Sequence, residues 1–193
     1  ANYKKHISDD LEPEYIDDEM AIVGINTVRI LRMKEGSVDQ LQTDRVQNMF
    51  RNLSSQVCKI VVSHHPFNIP TKHYKRPMAR VKKFWKSVEY MHIDIFLSGH
   101  LHDTLSNHED VPYKIAHNGA LIIQAGTAIS TRRRKEGNAF NCLLLDGGAL
   151  SIERYRAETS TTVFSVVKID SFIRTPEGWV RKNEVAEKEK KSA

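Results

Sequence analysis

The feature that most constrains this chain is an alternation of short apolar runs with helical periodicity between residues 21 and 98. Ala21-Ile22-Val23-Gly24-Ile25 is a β-type run that ends at Asn26-Thr27. From Ser37 to Leu53 the apolar positions Val38, Leu41, Val46, Met49, Phe50 and Leu53 recur close to a 3.6-residue period, which predicts an amphipathic helix. Cys58-Lys59-Ile60-Val61-Val62-Ser63 reads as a buried strand. It stops at His64-His65-Pro66, because proline cannot donate to a ladder and biases the residue before it away from helix. Met78 to Met91 returns to helical spacing through Val81, Phe84, Trp85, Val88 and Met91. Ile93-Asp94-Ile95-Phe96-Leu97-Ser98 is strand-like and runs into Gly99-His100-Leu101-His102. Strand, helix, strand, helix, strand is the pattern of βαβ units and predicts an α/β fold.

The flanks differ in texture. Residues 1–19 are polar, acidic from Asp9 to Glu19, and lack the periodicity of a packed element. After residue 119 come strand candidates at 120–124, 140–145, 149–155, 162–169 and 178–181, punctuated by Gly126, Gly137, Gly147-Gly148 and Gly178, which predicts antiparallel sheet. Lys182 to Ala193 is rich in charge and reads as a solvated tail. With 193 residues, 40% hydrophobic and 27% charged, the chain has the composition of one globular domain, here residues 1–181, followed by the tail 182–193. Its apolar runs of four to six residues fall far short of the roughly 20 that a membrane helix requires. Cys58 and Cys142 sit in apolar stretches and form no Cys-x-x-Cys pair, so buried reduced thiols and a cytoplasmic location are expected. The 29 basic against 24 acidic residues, a net +5, suit an anionic partner.

Of nine histidines, His6, His73, His92, His108 and His117 lie in polar or mixed surroundings with no partner at informative spacing. His64, His100 and His102 differ because each follows a strand. In open α/β sheets, sites form beyond the carboxyl ends of strands, where loops from several strands converge. On an extended segment, positions 100 and 102 share one face at roughly 6–7 Å between Cα atoms, from a rise of about 3.3 Å per residue. Imidazoles so placed can each bind a different metal of a pair about 3.5–4 Å apart. Gly99 is expected to absorb a sharp turn next to them. Three loop histidines with ordinary surface hydrogen bonds are the competing account.

Ile60-Val61-Val62-Ser63-His64-His65-Pro66 followed by Leu97-Ser98-Gly99-His100-Leu101-His102 resembles the last two metal motifs of the calcineurin-like metallophosphoesterase superfamily, in its small phosphodiesterase-type branch. Residues 21–27, 124–128, Phe172-Ile173-Arg174 and Gly178-Trp179 resemble other segments of the same family, so the likeness spans roughly 20–181. The resemblance implies a sandwich of two β-sheets flanked by helices. It implies a phosphodiesterase or phosphatase in which a hydroxide bridging two divalent ions (Mn, Fe or Zn) attacks phosphorus. Carried over residue by residue, His64 and His100 are ligands of one metal, His102 completes the other, and His65 lies towards the substrate. A phosphate-ester small molecule is the implied partner, with cyclic nucleotides among the candidates.

The family also uses Asp-x-His, Gly-Asp and Gly-Asn-His motifs, and none occurs here; Asn107-His108-Glu109 follows Gly99-His100 instead of preceding it and lacks the glycine. The resemblance therefore implies the carboxyl-terminal part of such a domain, lacking its N-terminal strands and inactive alone, with the remainder in an upstream segment or a second chain. Strand edges left open by that absence invite association.

Two basic stretches, Thr71 to Lys86 and Arg132-Arg133-Arg134-Lys135, fit a positive rim around a phosphate site or an ordinary wet surface. They also admit a nucleic-acid-binding module, but aromatic residues, 8% of the chain, are not interleaved with them as stacking platforms require. A catalytically dead scaffold of the same fold is the other alternative.

Overall fold

Three strands, β2 (Met20–Ile25), β3 (Cys58–Ser63) and β4 (Ile95–Ser98), run parallel at the centre of the first half of the chain. The computed structural model describes residues 2–30, 34–67, 77–100, 113–116, 118–129, 137–158 and 163–183. Two units separate, Ala1–His100 and Leu101–Ala193. The fold is α/β, with two sheets and flanking helices.

In the first unit, α2 (Gln40–Phe50) connects β2 to β3, and α3 (Val81–Val88) connects β3 to β4. Both crossovers step the same way along the sheet, and right-handed connections then bring both helices to one face. Gln47 Nε2 donates to Ser87 O across the two helices at 2.6 Å. Val46 and Phe50 of α2 and Val81, Phe84 and Val88 of α3 are buried with Ala21, Val23, Ile60, Val61, Ile95 and Phe96 of the strands. Lys82, Lys83 and Lys86 take the wet face of α3.

The helices are shorter than the apolar periodicity predicts. Asp39 sets the start of α2 by closing a reciprocal cap: its carboxylate accepts the Gln42 N–H at 2.9 Å, and Gln42 Oε1 accepts the Asp39 N–H at 3.0 Å. Arg80 precedes α3 with φ 63°, outside right-handed helical space, so a turn stands where the period predicts helix: the Val81 N–H donates to Met78 O at 3.3 Å, and Ala79 is bridged to Ser37. After α3, Glu89–Met91 make a single 3-10 turn.

The acidic segment before residue 20 does form elements. α1 (Asn2–His6) is followed by β1 (Glu14–Ile16), which pairs antiparallel with β2 in the register Tyr15↔Ile22. β1 therefore covers the β2 edge that the family resemblance implies is open. All three of its side chains are exposed, so no burial period marks it in the sequence.

In the second unit, β5 (Tyr113–Ile115) pairs antiparallel with β6 (Leu121–Gln124). β7 (Ala139–Asp146), β8 (Ala149–Ala157), β9 (Phe164–Thr175) and β10 (Gly178–Arg181) form an antiparallel meander. Cys58 is buried and Cys142 only half-buried, and among the described residues neither forms a disulfide. Among the described residues, no helix is long and apolar enough to cross a membrane.

Candidate metal centre

β3 and β4 are in parallel register with Ser63 opposite Ser98, so the chain leaves both strands at one level. The Gly99 N–H donates to His64 O at 3.2 Å and continues the ladder one step beyond them. His64, His65 and His100 meet there. His64 Nε2 and His100 Nδ1 are 3.0 Å apart. Ring centroids are separated by 4.9 Å for His64–His65, 4.9 Å for His64–His100 and 4.6 Å for His65–His100. One nitrogen from each ring lies within 4.8 Å of the other two.

The His64–His100 pair fits a cation. Two nitrogens bound at about 2.1 Å to one ion, at tetrahedral or octahedral angles, stand about 2.9–3.4 Å apart, and the His64–His100 separation falls in that span. Imidazole donors suit borderline transition metals better than Mg or Ca, which prefer oxygen. The cluster contains no carboxylate among the described residues, so it fits one ion and supplies no bridge to a second.

Local structure fixes the three rings to different degrees. His64 is exposed and His100 half-buried, whereas His65 is 0% exposed. His65 Nδ1 lies 2.8 Å from Thr27 Oγ1, and the same oxygen accepts the His65 backbone N–H at 3.2 Å. Ser63 Oγ donates to His65 O at 2.6 Å. Gly36, at φ 68°, backs the ring so closely that a Cβ there would sit 2.3 Å from Nδ1. Beyond Pro66, Phe67 is buried against Phe84 and Phe96 at centroid distances of 5.1 and 5.0 Å, and Trp85 Nε1 donates to Phe67 O at 3.0 Å. This aromatic cluster anchors the distal end of the His64-His65 loop on α3 and β4.

Of the histidines singled out in the sequence, His64, His65 and His100 come together; His102 lies outside the described residues, as do the Asn107-His108-Glu109 and Arg132–Lys135 segments. Gly99 does not absorb the turn. It has no positive φ and no heavy atom within 4 Å of a Cβ position, and the left-handed conformation falls on His100 itself, at φ 73°. Thr27 and Gly36 were not expected at the site. Thr27 was accessible by rule, since it follows β2 at the same carboxyl edge of the sheet; nothing in the sequence marks Gly36.

No protein-family model and no curated protein sequence matches the chain. It is similar to the solved structure of Vacuolar Protein Sorting 29 from Cryptosporidium parvum, at 13% identity and a TM-score of 0.33, over 85% of this chain and 100% of that one. It is also similar to a single mutant of Vps29 from Entamoeba histolytica, at 15% identity and a TM-score of 0.33, over 78% and 97%. A double mutant of the same protein gives 14% and 0.32, over 79% and 97%. A likeness at this level leaves the functional reading to the residues of the site.

A separate cavity of about 660 Å³ opens beside Asn26 and the start of α2. Its charges largely neutralise one another: Arg29 pairs with Asp39 at 2.9 Å and Arg45 with Glu12 at 3.2 Å.

Proposed function

We propose that the chain carries the histidine side of a metal-dependent phosphoester hydrolase, with His64 and His100 as cation ligands and His102 as the candidate ligand of a second ion. The observation that carries this reading is the 3.0 Å approach of His64 Nε2 to His100 Nδ1 across the ends of adjacent parallel strands. It joins the two sequence blocks whose resemblance points to the same chemistry. A bound divalent ion neutralises charge on phosphoryl oxygens and lowers the pKa of coordinated water. The residues of the chain hold and orient. The β3 and β4 ladders fix where the two backbones emerge, and the Phe67 cluster keeps the intervening loop from swinging away. Phosphodiesters, cyclic nucleotides among them, are the favoured substrate class, on the His64-His65-Pro66 form of the motif.

A cluster of three histidines with no carboxylate among the described residues also fits a second reading, a metal-binding module of the same fold that is catalytically silent. Calorimetric titration with Mn²⁺ and Zn²⁺, followed by assay on bis(p-nitrophenyl) phosphate, separates the two. Saturable binding that falls at least tenfold in His64→Gln and in His100→Gln is expected. Turnover that tracks metal occupancy decides for the hydrolase, and binding without turnover for the silent module. No binding at millimolar metal overturns both.

A further inference from the structure

We infer that His65 is a positioning residue: it holds the rings of His64 and His100 at the separation that suits one cation, and Thr27 and Gly36 fix its own orientation. This rests on the metal reading above and goes beyond it, because the motif places His65 on the substrate side.

The three rings are not equally held. His64 is exposed and His100 half-buried, and exposed side chains change rotamer on the ps–ns scale unless neighbours confine them. His65 is 0% exposed and touches both. Its ring centroid lies 4.9 Å from that of His64, with the planes at 84°, and 4.6 Å from that of His100, at 47°. His64 directly follows β3 and His100 follows β4, so one buried ring packs against a ligand candidate from each strand. Neither exposed ring can swing towards His65 without overlapping it. That narrows the distances the pair samples around the 3.0 Å between His64 Nε2 and His100 Nδ1.

A brace must itself be fixed. The second torsion of an aromatic side chain is roughly two-fold, so packing alone leaves an imidazole two orientations. Thr27 Oγ1 selects one of them: it stands 2.8 Å from His65 Nδ1, and it also accepts the His65 backbone N–H at 3.2 Å. Gly36 closes the space behind, where a Cβ would sit 2.3 Å from Nδ1 and 2.5 Å from Cγ. Both supports belong to backbone that is tied down. The Ser37 N–H donates to Thr27 O at 2.9 Å, and Gly36 O accepts the Ala79 N–H at 3.2 Å.

Full burial keeps His65 from a substrate arriving from solvent, so its influence on the chemistry passes through His64 and His100. Binding sites keep their geometry through neighbours whose own rotamers are locked, and loss of such outer neighbours typically lowers metal affinity 10–100-fold.

The test is Co²⁺ titration followed by visible absorption, with Zn²⁺ competition, on the wild type, His65→Asn, Thr27→Val and Thr27→Ser, alongside thermal unfolding of each metal-free protein. His65→Asn keeps an amide close to the Nδ1 position and removes the rest of the ring; its affinity should fall at least tenfold, with an altered Co²⁺ spectrum. Thr27→Val, which releases the ring, should also lose at least tenfold, and Thr27→Ser, which keeps the hydroxyl, should stay within about threefold with the wild-type spectrum. Imidazole ¹⁵N shifts of the wild type on Zn²⁺ addition require no variant: His64 Nε2 and His100 Nδ1 take the coordination shift, and neither nitrogen of His65 does. If the wild type binds no metal, the metal reading and this inference fall together. If it binds metal and His65 takes the coordination shift, His65 is a ligand and the positioning role alone is overturned. The same holds if His65→Asn and Thr27→Val lower only the Tm of the metal-free protein and, while folded, keep wild-type affinity and spectrum.

Discussion

His100 holds a backbone conformation that L side chains avoid, at φ 73°. For a non-glycine residue this costs on the order of 1 kcal/mol, and such strain persists only where the surroundings over-determine it. Arg80 at φ 63° and His92 at φ 48° are equally unusual but belong to helix boundaries, the first opening α3 and the second closing the 3-10 turn. His100 has no such duty. It stands two residues past the end of β4, and the effect of its conformation is to bring Nδ1 to His64. Asparagine tolerates the left-handed region better than histidine does. His100→Asn should therefore keep or raise stability, by no more than about 1 kcal/mol, while Zn²⁺ affinity drops at least tenfold. Thermal unfolding of the metal-free protein and calorimetric titration measure the two effects. Unchanged affinity would remove His100 from the ligand set.

At the scale of elements, β1 shows how an edge can form without burial. Asp17 organises the turn into β2. Its carboxylate accepts N–H groups of Met20 at 2.8 Å and Glu19 at 2.9 Å, and the Tyr15 hydroxyl at 2.7 Å. These donors, the Met20 N–H foremost, then Tyr15 and Glu19, hold its carboxyl below the usual carboxylate range. A depressed folded-state value means that the ionised form supports the hairpin. Its contribution is complete above the ordinary carboxylate pKa and is lost as pH falls through the lowered value. Protection of the Glu19 and Met20 amides, measured against their intrinsic exchange rates, should thus persist down to the ordinary carboxylate range and fall only at more acid pH. Asp17→Asn should exchange faster at neutral pH and lose that acid transition; an identical acid profile in the variant would refute the role.

Such elements mark the limit of what the sequence discloses. β3 and β4 were legible because strands buried on both faces read as near-continuous apolar runs, and β2 because its half-buried face, Met20, Ile22 and Gly24, is apolar as well. α2 and α3 were legible from period, although their first turns were not, since the Asp39 cap and the Arg80 conformation override apolar spacing. β9 extends to Thr175, past the 162–169 run, and carries exposed Val166, Val167 and Ile169. Inward and outward faces there do not differ in polarity, and the alternation that should delimit the strand vanishes. At the site, the two strand-end motifs announced His64 and His100. The contacts of Thr27 and Gly36 with His65 depend on chain segments 38 and 29 positions away in sequence, which no local pattern encodes.

At the scale of the whole molecule, the question is what a cation does to the balance between folded and unfolded chain. The ligand candidates come from two strand ends, and the residues that brace His65 come from the segment after β2, all within Ala1–His100. Unfolding separates them, so a metal binds the folded state and barely binds the unfolded one. Linkage then sets the effect: at free metal one hundred times Kd the folded state gains about 2.7 kcal/mol. For chains of 150–250 residues each kcal/mol is worth roughly 2–4 °C in Tm. Saturating Zn²⁺ should raise Tm by about 5–11 °C, an excess of EDTA should reverse the rise, and His64→Gln or His100→Gln should abolish most of it. Hydrogen exchange should locate the gain in the peptides that carry the ligands, 58–67 and 95–100, and in those around Thr27 and Gly36. Cations that merely coat acidic surface would raise Tm in both variants as well, and would spread protection to the acidic segment between Asp9 and Glu19. That pattern would place the metal effect on the surface and dissolve the case for a built site.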